Sequence, residues 1–395
     1  MYVTRRLSHF QRSPEALSSP PEGPNSGYLV IQDEESETTC CFGLCKDCYL
    51  RGLPFPQNKN LTVRYSSGSG ENEYVSRDEA TLIPVLNQPL SSNLYYAIKP
   101  HGSHKGEAYA CSREEDKSTC CFCTCINNVR PRPLDPTDIY QQFEIVPYEA
   151  ACCSDGKFYA KSVAPDGFPP RFLRRKGWEI YTGRPRNYEL GEALGTNHAL
   201  RARLPEFNFP VYCKTSEAIV VGKWYCPFMF IKDQTMTLRD QMKKTMFYEM
   251  ILEQQWEQIF ACENDFNRGN AVTVDAAVQS EVAYVGEREA VWDGNGLGGG
   301  VVWFKRLDGV GEEASIGLSS LIVSRMKWEE ERAGWVSSEK KQVKVSRTEN
   351  FGGIGGWTRF GCYVLVEKFV LRRLDGSVAL TYEFKHTHQI KSKWE

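Results

Sequence analysis

Histidine is scarce, with six residues in a chain of 395, and none stands beside an obvious nucleophile. There is no G-x-S-x-G elbow, P-loop, H-E-x-x-H helix or kinase signature either, so covalent and acid–base catalysis find no support and an enzyme is not the expected class. Net charge is also small. The 48 Lys and Arg against 50 Asp and Glu leave -2, so any pull toward nucleic acid or anionic membrane must come from a local patch. Nucleic acid is therefore not expected as a partner. Long apolar runs are missing too. The most apolar stretch, 218–231, is too short for a bilayer and contains Lys223, and Met1 to Ser8 lacks the apolar core of a secretion signal. No transmembrane segment is expected.

Cysteine, by contrast, is plentiful. Fifteen cysteines would suggest a disulfide scaffold in a small secreted chain, but here the chain is large, the count odd and an export signal lacking. Reduced thiols in the cytoplasm are the expectation. With 41% hydrophobic and 25% charged residues the composition is that of a folded protein, and 395 residues exceed the size at which one core stops growing. Two domains follow as the default.

The cysteines recur in a pattern. Thr39-Cys40-Cys41-Phe42-Gly43-Leu44-Cys45 returns as Thr119-Cys120-Cys121-Phe122-Cys123-Thr124-Cys125, each copy following an aromatic strand-like run, Tyr28 to Ile31 or Leu94 to Ile98, and preceding a proline-rich segment. A third, degenerate start appears at Phe158 to Val163, after Cys152 and Cys153. Such self-similarity argues for repeated β units sharing a core, since one unit cannot bury its apolar face alone. Residues 1–27, rich in Ser and Pro, read as an extended leader, and 28–200 as an N-terminal β domain. Near its end Arg171, Arg174, Arg175, Lys176, Arg184 and Arg186 surround Trp178 and Tyr181; cations with aromatics suit bases or phosphate headgroups, although a solvated loop with a buried Trp is the commoner outcome.

The second half, 201–395, reads as a C-terminal β domain with one long amphipathic helix over about 237–261. Thr237 and Asp240 resemble a capping box, and Leu238, Met242, Met246, Met250, Trp256, Ile259 and Phe260 recur at helical spacing, most simply as a core face. Asp375-Gly376 between two apolar runs signals a hairpin. The fold class is α+β, mainly β and antiparallel. The glycine runs 294–300 and 352–356 do not open a helix, so they are not phosphate loops.

Two chemistries compete for the cysteines. Cys40, Cys41, Cys45 and Cys48, with Cys120, Cys121, Cys123 and Cys125, are soft ligands dense enough for zinc or an iron–sulfur cluster, and His386 and His388, two apart in a strand, share a face on which a metal site can start. Neither block reproduces a pair of separated CxxC motifs. An adjacent Cys-Cys-Phe also suits reversible S-acylation, which would add peripheral membrane affinity. The plainest reading is reduced thiols filling small core spaces, with no cofactor.

Met1 to Arg5, Pro21 to Ile31, both Cys-Cys-Phe blocks, Gly222-Lys223-Trp224-Tyr225-Cys226-Pro227-Phe228 and His386-Thr387-His388-Gln389-Ile390 together resemble a plant-specific family defined as a domain of unknown function. The resemblance runs essentially end to end and brings no reaction, cofactor or catalytic residue with it. Some members carry an "insecticidal crystal toxin domain" label, which implies a β-trefoil joined to a pore-forming β module; no Ser/Thr-rich alternating hairpin is evident here. The reading that results is a non-enzymatic binding or interaction protein with a protein or lipid partner, peripheral to membranes or defence-related. A metal-dependent enzyme or sensor and a toxin-like protein are the alternatives.

Overall fold

The computed structural model describes residues 1–40, 45–68, 73–120, 123–149, 156–185, 187–264, 269–292, 300–306, 314–337 and 342–395. The chain forms two compact units: Met1–Ala193 with Tyr225–Phe247, and Leu194–Trp224 with Tyr248–Glu395. Both are built mainly from antiparallel strands, as expected.

The first unit contains a sheet in the strand order Tyr74–Glu79, Asn60–Ser67, Trp178–Gly183, Lys157–Ser162, Gln142–Pro147, Leu94–Ile98, Thr81–Pro84. Its core is aromatic: Phe55, Tyr95, Phe143, Phe158 and Trp178 are fully buried, and Phe55 meets Phe158 edge-on at 5.1 Å between ring centroids. Trp178 is thus a core residue, and its indole N–H donates to the Leu173 carbonyl at 2.7 Å. A Trp buried this completely cannot be a stacking platform.

The start of the chain differs from an extended leader. Tyr2–Arg6 is a strand lying parallel to Gly27–Ile31, and Leu7–Arg12 is a short helix whose Leu7 and Phe10 pack with Val30 and Leu90. Tyr2 explains the departure from the Ser/Pro-rich expectation. Its ring is fully buried, its hydroxyl donates to the Pro84 carbonyl at 2.8 Å, and a Cβ on Gly27 would approach the ring to 2.5 Å. One large amphipathic side chain outweighs the composition of the segment after it.

The cysteine repeat has a matching local structure. Each block is entered through a 3-10 turn, Glu34–Ser36 or Glu114–Asp116, in which the preceding backbone N–H is received by the third turn residue: Asp33 N–H by Ser36 Oγ at 3.0 Å, Arg113 N–H by Asp116 Oδ2 at 2.7 Å. A hairpin follows, Thr39–Cys40 with Cys45–Lys46 or Lys117–Cys120 with Cys123–Ile126. The two hairpins are separate two-stranded sheets.

In the second unit the expected helix over 237–261 is a correction to make. Leu238–Lys244 is helical, in the first unit, with Thr237 Oγ1 accepting from Asp240 N–H, but Phe247–Glu263 is a 17-residue strand. Spacings of four place residues on one face of a helix and equally on one face of a strand, because four is a multiple of the strand period. The aromatic and β-branched residues Phe247, Tyr248, Ile251 and Trp256, buried on both faces, decide for the strand. Met242, Met246 and Met250 are core residues. The strand pairs with Arg359–Arg372, which turns at Asp375-Gly376 into Val378–Trp394. Gly376 takes φ +85° and Asp375 Oδ1 accepts from Ser377 N–H at 2.9 Å, as a tight hairpin requires.

The unit also contains a helix and a ribbon. Ser320–Arg332 is a 13-residue helix that no sequence signal announced. Ala271–Gln279 pairs with Gln342–Asn350 as a two-stranded ribbon; its buried Val272 and Val274 pack against Trp357 and Phe360. No helix among the described residues is long and apolar enough to cross a membrane, which says nothing of strands.

Candidate functional site

The hairpin register breaks where it matters. Val364 lies opposite Ile390 but Leu365 opposite His386, so residues 387–389 bulge from the strand. Bulges re-aim side chains. Here His386 turns inward, 1% exposed, with its Nε2 2.9 Å from Glu330 Oε2 and 3.2 Å from Glu367 Oε2. His388 faces another partner set. Its ring centroid is 5.4 Å from that of His386, and it is exposed near the Ala333 carbonyl, with partial desolvation and the His386 charge holding its pKa down.

Four elements of the second unit converge on His386. Glu367 stands on Arg359–Arg372, Glu329 and Glu330 on the Ser320–Arg332 helix, Gln254 on Phe247–Glu263, and Arg201 on the short helix His198–Arg203. That short helix is fixed by Asn197, whose Oδ1 accepts from Leu200 N–H at 3.0 Å. Arg201 grips Glu367 with two donors, Nε to Oε1 at 2.9 Å and Nη2 to Oε2, while Nη1 donates to the Glu329 carbonyl at 3.1 Å and Nη2 to Glu330 Oε1 at 3.3 Å. Gln254 Nε2 donates to Glu367 Oε1 at 2.8 Å, and Arg325 pairs with Glu329. Two arginines and a histidine thus face three glutamates, nearly all out of contact with water.

Burial and pairing pull these groups apart. Burial alone would lower the His386 pKa, but hydrogen bonds to Glu330 and Glu367 win and push it up to about 9. Burial, reinforced by repulsion from Glu367, pushes Glu330 up. Glu367 goes the other way: burial opposes ionisation, yet His386 and Arg201 hold its carboxyl well below the usual range. At neutral pH His386 is therefore a cation, its Nε2–H lying between the ionised Glu367 and the Glu330 carboxyl, which is pushed up to about 8.

Glu330, Glu367 and His386 present ligand atoms within 4.8 Å of one another, the kind of set that can hold a metal ion. A divalent ion would need His386 Nε2 as an acceptor and a free Glu367 lone pair. Arg201 already holds both Glu367 oxygens, and a fixed guanidinium beside the site repels a second cation. The contacts favour a proton there.

The cluster forms one wall of a cavity of about 280 Å³, lined also by Arg332 and Gln389. Two buried atoms of lining residues, Gln254 Oε1 and His386 Nδ1, have no hydrogen-bond partner. Leu204 lines it too, with φ 59° and ψ 156°, a backbone region that glycine alone occupies freely. Strain of this kind costs of the order of 1–3 kcal/mol and gathers at functional sites. The lining contains no Ser, Thr, Cys or Lys; of its carboxylate and imidazole groups, Glu367 is held by Arg201 and His386 by Glu330 and Glu367.

Of the residues singled out from sequence, His386 alone belongs to this cluster. Cys48 and Cys125 are exposed free thiols. Cys40 pairs in register with Cys45, and Cys120 with Cys123, across the two hairpins of the first unit; Cys41, Cys121, Cys152, Cys153, Arg186 and most of the 294–300 glycine run lie outside the described residues. Arg201, Gln254, Glu330 and Glu367 were missed. One signal was present: Glu367 is a lone carboxylate inside the apolar run 363–366 and 369–371, a position that demands a buried partner.

Comparison with known proteins adds little chemistry. Residues 22–122 match a family described as "Protein of unknown function (DUF1262)". No curated protein matches the sequence. A solved structure, "Crystal structure of Cry35Ab1", is similar over 86% of this chain and 90% of that one, at 9% identity and a TM-score of 0.48, a likeness on which no argument rests. What the comparisons give is a segment of 101 residues similar to a family without an assigned activity.

Proposed function

We propose that this is a non-enzymatic binding protein whose second unit takes a small hydroxyl-bearing ligand in the cavity beside His386. One observation carries the reading: Gln254 Oε1, an acceptor, and His386 Nδ1–H, a donor on a cationic ring, are buried in the residues of one cavity wall with no partner. An unmet buried polar atom costs about 1–3 kcal/mol, and a hydroxyl, which both donates and accepts, removes both costs. The acid and base groups of the cluster are committed to one another, which supports binding over turnover.

Thermal unfolding with glucose, inositol, glycerol and malate as probes tests this. At least one probe should raise the melting temperature of the native chain and fail to do so in Ala202→Trp, which fills the rim from an exposed position, and in Gln254→Leu. No shift with any probe, together with a crystal structure showing only water at both atoms, would contradict it.

A further inference from the structure

The first unit carries a second cluster of charge with the opposite character. Arg171 and Arg174 lie on the short helix Arg171–Arg174, followed by Arg175 and Lys176. Among the described residues none of the four forms an ion pair, although the same sheet pairs Arg64 with Glu179 at 3.0 Å and with Glu73 at 3.8 Å. Asp78, partly buried and with its pKa raised by burial, feels Arg175 without pairing with it. Arg174 Nη1 is buried without a hydrogen-bond partner, and burial together with the Arg171 and Arg175 charges lowers the pKa of this side chain. Like charges this close, left without carboxylates, are held at a cost that an external anion would relieve.

A cavity adjoins the cluster. Asn128 Oδ1 accepts from Arg171 N–H at 2.9 Å, and Asn128 and Pro170 line a cavity of about 450 Å³ together with Lys99 and Arg130, with no carboxylate in the lining. The aromatic rings nearby are already covered: Arg175 lies 4.8 Å from the Tyr65 centroid and 5.2 Å from that of Tyr74, and Lys176 lies 5.4 Å from that of Tyr159. Covered rings are poor platforms for nucleobases, and Trp178 is in the core. Tyr74, 51% exposed on the edge strand, instead suits the headgroup level of a bilayer.

We infer that the face of the first unit bearing Lys99, Arg130, Arg171, Arg174 and Arg175 docks on a membrane rich in anionic phospholipid, with a lipid phosphate entering the cavity between Lys99 and Arg130. The overall charge of -2 gives the chain no general pull toward polyanions, so the attraction is confined to this patch.

Sedimentation of the full chain with phosphatidylcholine vesicles, with and without phosphatidylserine, reads this directly. Binding should require phosphatidylserine and weaken at high salt as surface charges are screened. Each exposed cation near a membrane contributes roughly fivefold in partition, so Arg171→Ala with Arg175→Ala should lower it by about 25-fold. Arg171→Lys with Arg175→Lys keeps the charge and should retain most of it; an unchanged circular dichroism spectrum certifies the fold of each variant. Absence of binding to phosphatidylserine vesicles, equal binding by the double alanine variant, or binding of an oligonucleotide or soluble inositol hexakisphosphate without retention on vesicles would each overturn the assignment.

Discussion

The two charge clusters obey opposite rules. In the second unit Arg201, Arg325 and His386 are matched by Glu329, Glu330 and Glu367, with Arg201 gripping Glu367 through two donors. In the first unit Arg171, Arg174, Arg175 and Lys176 stand together without a carboxylate partner among the described residues. Desolvation explains the first: an ion removed from water costs several kcal/mol unless matched, so every buried charge here has a counterpart. Water, which tolerates unpaired surface charge, permits the second without requiring it. Compensated charge therefore speaks of folding, and uncompensated charge of something outside the chain.

Breaking the match in the second unit should produce the largest effect. Arg201→Met leaves Glu367 buried without its main partner and should cost about 3–5 kcal/mol, seen as lost hydrogen-exchange protection along Arg359–Arg372. Adding Glu367→Leu removes the stranded charge and should restore most of that protection. Next in size is the response to pH. The folded state raises the His386 pKa from 6.5 to about 9, so its contribution is complete below 6.5 and is lost as pH rises through 9. A loss on the order of 2 kcal/mol over that window, reduced in His386→Gln to the part that belongs to the raised Glu330, should appear in denaturant unfolding followed at the same strand. Acid acts through Glu367, whose lowered pKa makes its contribution fade as pH falls below the ordinary carboxylate range. A smaller loss, about 1 kcal/mol, should follow Asn197→Ala, which uncaps the helix that carries Arg201. The smallest belongs to the first unit. Arg175→Met should change unfolding by about 0.5 kcal/mol, since it breaks no ion pair and loses only its contacts with the Tyr65 and Tyr74 rings; a loss well above about 1 kcal/mol would mean that the basic cluster is structural as well.

How much of this was legible depended on where the determining contacts lie in sequence. The strands at Tyr28 to Ile31, Leu94 to Ile98 and Phe158 to Ser162 and the Asp375-Gly376 hairpin follow from local propensity and turn chemistry, and they are there. The Ser320–Arg332 helix was hidden because its buried face mixes Ile322 and Met326 with Arg325, Glu329 and Glu330, which erases the apolar period. The Phe247–Glu263 strand was misread because its spacing satisfies both periods. The cluster itself joins Arg201 to His386 across most of the second half of the chain, and no local pattern encodes such a meeting. Only the lone Glu367 hinted at it. The basic run at Arg171 to Lys176 was visible, but its aromatic partners were not Trp178; they are Tyr65, Tyr74 and Tyr159, brought in by neighbouring strands.

The central claim is that His386 is a buried cation whose Nε2–H lies between the carboxyl groups of Glu330 and Glu367 and whose Nδ1–H has no partner within the protein. Nitrogen-15 NMR of the imidazole across a pH series measures it. Both ring nitrogens should be protonated at neutral pH, with titration displaced upward toward 9. A neutral ring at pH 7, titrating at or below the ordinary histidine value, would contradict the account.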